Sequence, residues 1–232
     1  MITISNLEKV YNGKIVLNIK DLVFNEGEIV GLVGNNGAGK TTLLRLMLDL
    51  IKADKGVVQS NDYVVSKSEN WKDYTASYLD EGFLIDFLTP EEFFCFVGES
   101  YGFPKKDIDL RLSKFKNLMN NEVLAQGKKY IRDFSKGNKQ KIGIISTLLT
   151  DSKVLILDEP FVSLDPTSQI LLKRHFSEYN KKNNATMVIS SHDLNHISEI
   201  CNRIILIEKG ELIRDLYNNG NVLKELENYF TI

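Results

Sequence analysis

Residues 34–42 read Gly34-Asn35-Asn36-Gly37-Ala38-Gly39-Lys40-Thr41-Thr42. The spacing G-x-x-x-x-G-K-T demands a strand running into a tight loop and a helix leaving it. Small residues let successive backbone N–H groups curl around phosphate oxygens. Lys40 supplies a point charge for the β- and γ-phosphates, and the Thr41 hydroxyl suits a Mg²⁺ ion. The flanks agree with the pattern. Ile29-Val30-Gly31-Leu32-Val33 reads as a buried strand, and Thr41 to Leu50 reads as a helix whose positive end faces the phosphates. The loop, Gly34 through Thr42, predicts a site for a nucleoside triphosphate.

The 232 residues suffice for one large domain, or one domain carrying a lobe. With 29 basic and 31 acidic side chains the net charge is −2, so no nucleic-acid partner is expected. Cys95 and Cys201 are far apart with no paired spacing, which fits idle thiols in a reducing cytosol. Met1-Ile2-Thr3-Ile4 lacks the basic start and apolar core of a signal peptide. No stretch approaches the ~18 uninterrupted apolar residues of a membrane span. A soluble, cytoplasmic chain is expected.

Hydrophobic patterning predicts an α/β core. Ile2 to Val10 and Ile15 to Phe24 read as antiparallel strands joined at Asn12-Gly13, and 56–66 as a hairpin turning at Ser60-Asn61-Asp62. From Pro90 to about Thr150 the pattern is helical, with Glu91–Tyr101 and Arg111–Asn120 as separate helices. Strands return at 154–157, 186–189 and 203–207, with helices between, the rhythm of a parallel sheet with crossovers. A last hairpin turns at Lys209-Gly210, and a helix follows Asn221.

Two further segments carry chemistry. Val154-Leu155-Ile156-Leu157-Asp158-Glu159 is an apolar strand ending in adjacent carboxylates. Asp158 fits a partner of Mg²⁺, and Glu159, across the pleat, is placed to polarise the water that attacks a γ-phosphate. Phe134-Ser135-Lys136-Gly137-Asn138 precedes an apolar-faced helix. Ser135 serves there either as an N-cap or, with the Gly137 N–H, as a second anion site; the motif alone carries both readings.

Taken in order along nearly the whole length, these segments resemble the ATP-binding subunits of ABC transporters. The resemblance implies a P-loop NTPase core with a mostly parallel sheet, an antiparallel β subdomain and an inserted helical subdomain. Residues 1–232 would form a single ABC ATPase domain, with 1–89 and 151–232 as the core and about 90–150 as the helical lobe. In that family the segment after the lobe is the signature, usually Leu-Ser-Gly-Gly-Gln. Ser135 and Gly137 match its Ser and second Gly, while Phe134, Lys136 and Asn138 depart from it. The resemblance further implies that Tyr11 stacks on adenine, that Ser163-Leu164-Asp165 links two active sites, and that His192 contacts the γ-phosphate. A lone histidine after a strand is otherwise more often structural, and His196, one turn later, has no third ligand to suggest zinc. At Tyr78-Leu79-Asp80-Glu81 the family has a Gln that approaches Mg²⁺; here alignment places Glu81. Its charge weakens the fit to a triphosphate unless the ion compensates.

The expected protein is an ATPase that binds ATP and Mg²⁺ and powers a transporter, with export favoured by the Ser-Lys-Gly segment and the compact C-terminus. Two copies, or this chain and a second ABC ATPase, would pair head to tail around ATP. A separately encoded transmembrane permease subunit would hold the pair on the inner face of the cell membrane. Its expected docking surface lies between the lobe and the Tyr78–Phe87 loop, where Phe83 and Phe87 would be exposed. The rival readings are a soluble ABC-type ATPase and a nucleotide-switch regulatory subunit with little turnover.

Overall fold

A computed structural model describes residues 1–120, 123–124 and 128–230. In chain order the elements are β1 (Ile2–Tyr11), β2 (Lys14–Phe24), β3 (Ile29–Val33), α1 (Lys40–Met47), β4 (Lys55–Ser60), β5 (Tyr63–Val64) and β6 (Thr75–Tyr78). There follow α2 (Pro90–Ser100), α3 (Lys105–Leu112), α4 (Lys116–Met119), α5 (Lys136–Leu148), β7 (Val154–Leu157) and α6 (Pro166–Asn183). The chain continues with β8 (Thr186–Ser191), α7 (Leu194–Ile200), β9 (Arg203–Glu208), β10 (Glu211–Tyr217) and α8 (Val222–Phe230).

Among the described residues the ten strands join in one sheet, ordered β5-β4-β1-β2-β10-β9-β3-β8-β7-β6. From β9 to β6 every pairing is parallel. The strands β5, β4, β1 and β2 pair antiparallel, and β10 joins the two halves, antiparallel to β9 and parallel to β2. The antiparallel edge is therefore continuous with the parallel sheet.

The parallel strands are apolar on both faces because each face has its own core. Leu155, Leu157, Met187, Ile189, Ile204 and Leu206 point to the core shared with the helical segment, whereas Val154, Ile156, Val188, Ile205 and Ile207 meet Leu43, Leu44 and Met47 of α1. The period of two in side-chain direction thus divides uninterrupted apolar runs between two layers.

Local chemistry sets the helix starts. Thr89 accepts from the Glu92 N–H and Glu92 accepts from the Thr89 N–H, a capping box ahead of Pro90. Asp165 caps α6 ahead of Pro166 with its side chain alone, accepting from the Ser168 N–H. The run Arg111–Asn120, expected as one helix, is divided: α3 ends at Leu112, a tighter turn spans Ser113–Phe115, and α4 closes at Asn120 with φ 48°. The Ser113 hydroxyl donates back to the Leu110 carbonyl at 2.6 Å, a bond that competes with helix continuation. Leu112, Phe115, Leu118 and Met119 are nonetheless all buried. The helical stretch expected from Pro90 to Thr150 also runs over residues 121, 122 and 125–127, which lie outside the described residues. Among the described residues no helix is long and apolar enough to cross a membrane.

Candidate functional site

Three adjacent parallel strands, β3, β8 and β7, end at one rim of the sheet, where α/β folds collect their ligand-binding groups. β3 delivers Gly34 and the loop, β7 delivers Asp158 and Glu159, and β8 delivers Ser190, Ser191 and His192. The loop after β3 and the end of β7 enclose a cleft of about 310 Å³, lined by residues 36–42, Asp158 and Glu159, with Tyr11 and Val16 from the first hairpin; His192 does not line it.

The loop owes its path to glycine at its entrance. Gly34 has φ 152°, and a Cβ there would stand 2.2 Å from the Ile207 carbonyl oxygen of β9. The loop closes with an Ala38 N–H to Asn35 carbonyl bond of 3.0 Å, and Gly39 starts α1. The Lys40 ammonium is buried, 2.6 Å from the Gly34 carbonyl and 3.5 Å from that of Asn35. It also lies 3.9 Å from Oε1 of Glu159. A cation held over the cradle, with backbone N–H groups at a helix start behind it, suits a polyanion.

Asp158 is buried and bridged on both oxygens. Thr41 Oγ1 donates to its Oδ2 at 2.6 Å, and Ser190 Oγ donates to its Oδ1. Glu159 turns away from the strand in the left-handed region, with φ 47°. Its Oε2 lies 2.9 Å from Nδ1 of His192 and accepts the His192 N–H at 3.3 Å. The loop lysine, both strand-end acids and the histidine are therefore one connected group.

The signature residues stand elsewhere. Ser135 caps α5, its hydroxyl accepting the Asn138 N–H at 3.3 Å. Gly137 passes so close to the Ser163 carbonyl oxygen that a Cβ would stand 2.5 Å from it. Asp165 accepts from the Ser168 N–H at 2.9 Å and its hydroxyl at 2.5 Å, with the Lys141 ammonium 3.4 Å away. The Ser168 hydroxyl, then its N–H and Lys141, hold the Asp165 carboxyl at about 2. Ser135, Gly137 and Asp165 do not line the cleft of their own chain. Nor does Glu81, whose Oε2 lies 3.7 Å from the Lys139 ammonium, while neighbouring Asp80 meets Arg45 at 3.6 Å. Tyr11 is half exposed at the cleft mouth, and the Lys9 ammonium lies 5.2 Å from its ring centroid.

Sequence reasoning missed Ser190, which holds Asp158 and the Glu159 backbone together. Its signal was a hydroxyl closing the apolar strand Thr186-Met187-Val188-Ile189, beside the histidine already noted. Gln140 and Lys141, both buried in α5, were also passed over.

The family model described as ABC transporter matches residues 17–162, which span the phosphate loop, the signature and the Asp-Glu strand. The chain belongs to the ABC transporter ATP-binding family. An ABC transporter ATP-binding protein of Methanocaldococcus jannaschii is 34% identical over 91% of this chain and 76% of its own length. The tungstate uptake system ATP-binding protein TupC of Peptoclostridium acidaminophilum is 30% identical over 91% of this chain and 96% of its own. The solved ATP-binding subunit of an ABC transporter superposes with TM-score 0.85 at 26% identity, covering 99% of this chain and 93% of that one. This ABC cassette is thus an ATPase subunit of ATP-driven transport with the α/β fold of the P-loop NTPases.

Proposed function

We propose that this ABC cassette hydrolyses ATP at the rim of β3, β7 and β8, with Glu159 as the general base and His192 as its partner and γ-phosphate contact. The observation that carries this reading is the contact of Glu159 with both His192, at 2.9 Å, and Lys40, at 3.9 Å. A carboxylate between the ammonium assigned to phosphate and a histidine is placed to accept a proton from water beside the γ-phosphate. The phosphates would rest on residues 34–42 and adenine on Tyr11.

Thr41 and Asp158 would hold Mg²⁺. Both offer hard oxygens, and their 2.6 Å contact already brings the two donors together. Among the described residues no group of three or more His, Cys, Asp or Glu forms a closed cage, which suits an ion shared with substrate phosphates. When bound, the ion would neutralise charge on the transferring phosphoryl. Assigning Glu81 to the same ion requires its carboxylate to leave Lys139.

Because Ser135 and Gly137 lie outside their own chain's cleft, the reading gives them to the ATP of a second cassette, in a homodimer or with a sibling ATPase. ATP then closes the pair because closure completes its contacts. A permease subunit would dock beside Phe83 and Phe87, which are 44% and 69% exposed. It would keep the cassette on the inner face of the membrane. Export is favoured by the Ser135-Lys136-Gly137 segment, whereas the likeness to TupC points to uptake. Vesicles holding the cassette and its permease, with ATP outside, separate the two by the direction of cargo movement.

Phosphate release from the purified chain tests the central assignment. Glu159→Gln should lower hydrolysis about 10²–10⁴-fold while ATP still binds. Wild-type turnover in that variant would refute the role of Glu159, and negligible turnover in the unaltered chain with Mg²⁺ would favour a nucleotide switch.

A further inference from the structure

The peptide units around Glu159 are held from two sides. Its N–H donates to Ser190 Oγ of β8 at 2.9 Å, and its carbonyl accepts from Gln140 Nε2 of α5 at 3.1 Å. A non-glycine residue at φ 47° persists where its surroundings fix it, and here they do so through side chains from two separate elements.

Gln140 is itself fixed. It is 6% exposed, and its Oε1 accepts from the Tyr78 hydroxyl at 3.2 Å. Tyr78 ends β6, is buried, and lies against Gly143 so closely that a Cβ there would come within 2.0 Å of the ring. Reversing the Gln140 amide would set its oxygen against the Glu159 carbonyl oxygen, so one orientation satisfies both neighbours. Burial, with Glu81 and Asp80 nearby, pushes the Tyr78 hydroxyl up, and it remains a donor through neutral pH.

We infer that Gln140 is a positioning residue for hydrolysis: by gripping the Glu159 carbonyl, it fixes the direction in which that carboxylate leaves the left-handed turn and keeps it against His192. Gln140 does not line the phosphate cleft. It acts through the Glu159 backbone, with Tyr78 holding its amide. The inference rests on the reading of Glu159 as the base.

The test is a set of single and double variants, followed by ATP hydrolysis, nucleotide affinity and thermal unfolding of the purified chain. Gln140→Met keeps the side-chain length and removes the donor. It should lower kcat about 10–100-fold, the range typical of an outer positioning contact, with KM and nucleotide Kd within about twofold of wild type. Tyr78→Phe leaves the Gln140–Glu159 bond in place and should lower kcat only about 2–5-fold. Added to Glu159→Gln, the Gln140→Met change should cost nothing more, because the carboxylate it orients is gone.

Equal losses from Gln140→Met in both backgrounds, or parallel losses of kcat and nucleotide affinity, would mark a structural role and overturn the inference. Normal kcat in Gln140→Met beside an inactive Glu159→Gln would overturn it while sparing the Glu159 reading. Normal kcat in Glu159→Gln would instead sink that reading. If Gln140→Met does not fold, Tyr78→Phe decides, and an unchanged kcat there counts against the relay.

Discussion

Glu81 and Lys139 form an ion pair of 3.7 Å that ties the turn after β6 to the first turn of α5. Both side chains keep some contact with water, so the pair contributes little to net stability. In a double-mutant cycle with Glu81→Gln and Lys139→Met, thermal unfolding should give a coupling below about 1 kcal/mol. The coupling should shrink as salt rises. A coupling above about 2 kcal/mol, or one indifferent to salt, would mean that the pair is dry and structural.

Lys40 is the only cation lining the phosphate cleft among the described residues. Lys40→Ala should weaken ATP binding about 10–100-fold, the equivalent of one charge-assisted hydrogen bond. Titration with a fluorescent nucleotide checks this. Unchanged affinity would count against the phosphate loop.

The 2.5 Å separation awaiting any Cβ at Gly137 predicts a cost for the smallest possible addition. The obstacle is the Ser163 backbone, which cannot swing aside as a side chain can. Gly137→Ala should destabilise by about 1–3 kcal/mol, the usual cost of overpacking. In a chain of this size that is a melting point lowered by roughly 2–12 °C. Calorimetry of the two proteins decides it.

Asp165 gives the stability a defined pH response. Its carboxyl sits at about 2 in the folded chain, below the ordinary 3.8, because Ser168 and Lys141 favour the ionised form. A depressed folded value stabilises above the unfolded one, and the contribution disappears as the pH falls through the folded one. Asp165→Asn should therefore melt below wild type at neutral pH, and the gap should close between about pH 4 and pH 2. A gap that persists at pH 2 would assign the effect to lost capping geometry.

Legibility from the sequence followed the range of each interaction. The phosphate loop was readable because its pattern lies in contiguous residues, although the carbonyl that makes glycine necessary at Gly34, that of Ile207, lies far along the chain. The Asp158-Glu159 strand end was readable because acids at the end of an apolar run ask for a reason. Strands β1–β5 and β7–β10 followed from alternation, from apolar runs and from turns such as Asn12-Gly13, whereas β6 (Thr75–Tyr78), a short edge strand, was not among them. The division of Arg111–Asn120 was hidden, since Ser113 fits a helix until its hydroxyl turns back on Leu110. Contacts distant in sequence were the least visible. Nothing near Gln140 announces Glu159, and nothing near Glu81 announces Lys139. Gly137 matched a family position, yet its contact with Ser163 emerged only from folding.

The sheet order β9-β3-β8-β7-β6 has a consequence for biogenesis. β3 pairs with β8 through Ile29 opposite Met187, so the cradle near the N-terminus is flanked by strands synthesised much later. A nascent chain halted at residue 150 would carry the complete cradle while lacking both acids and the histidine. Competence for hydrolysis therefore waits on the later strands in turn: the acids follow β7, His192 follows β8, and β9, which also flanks the cradle, comes after both.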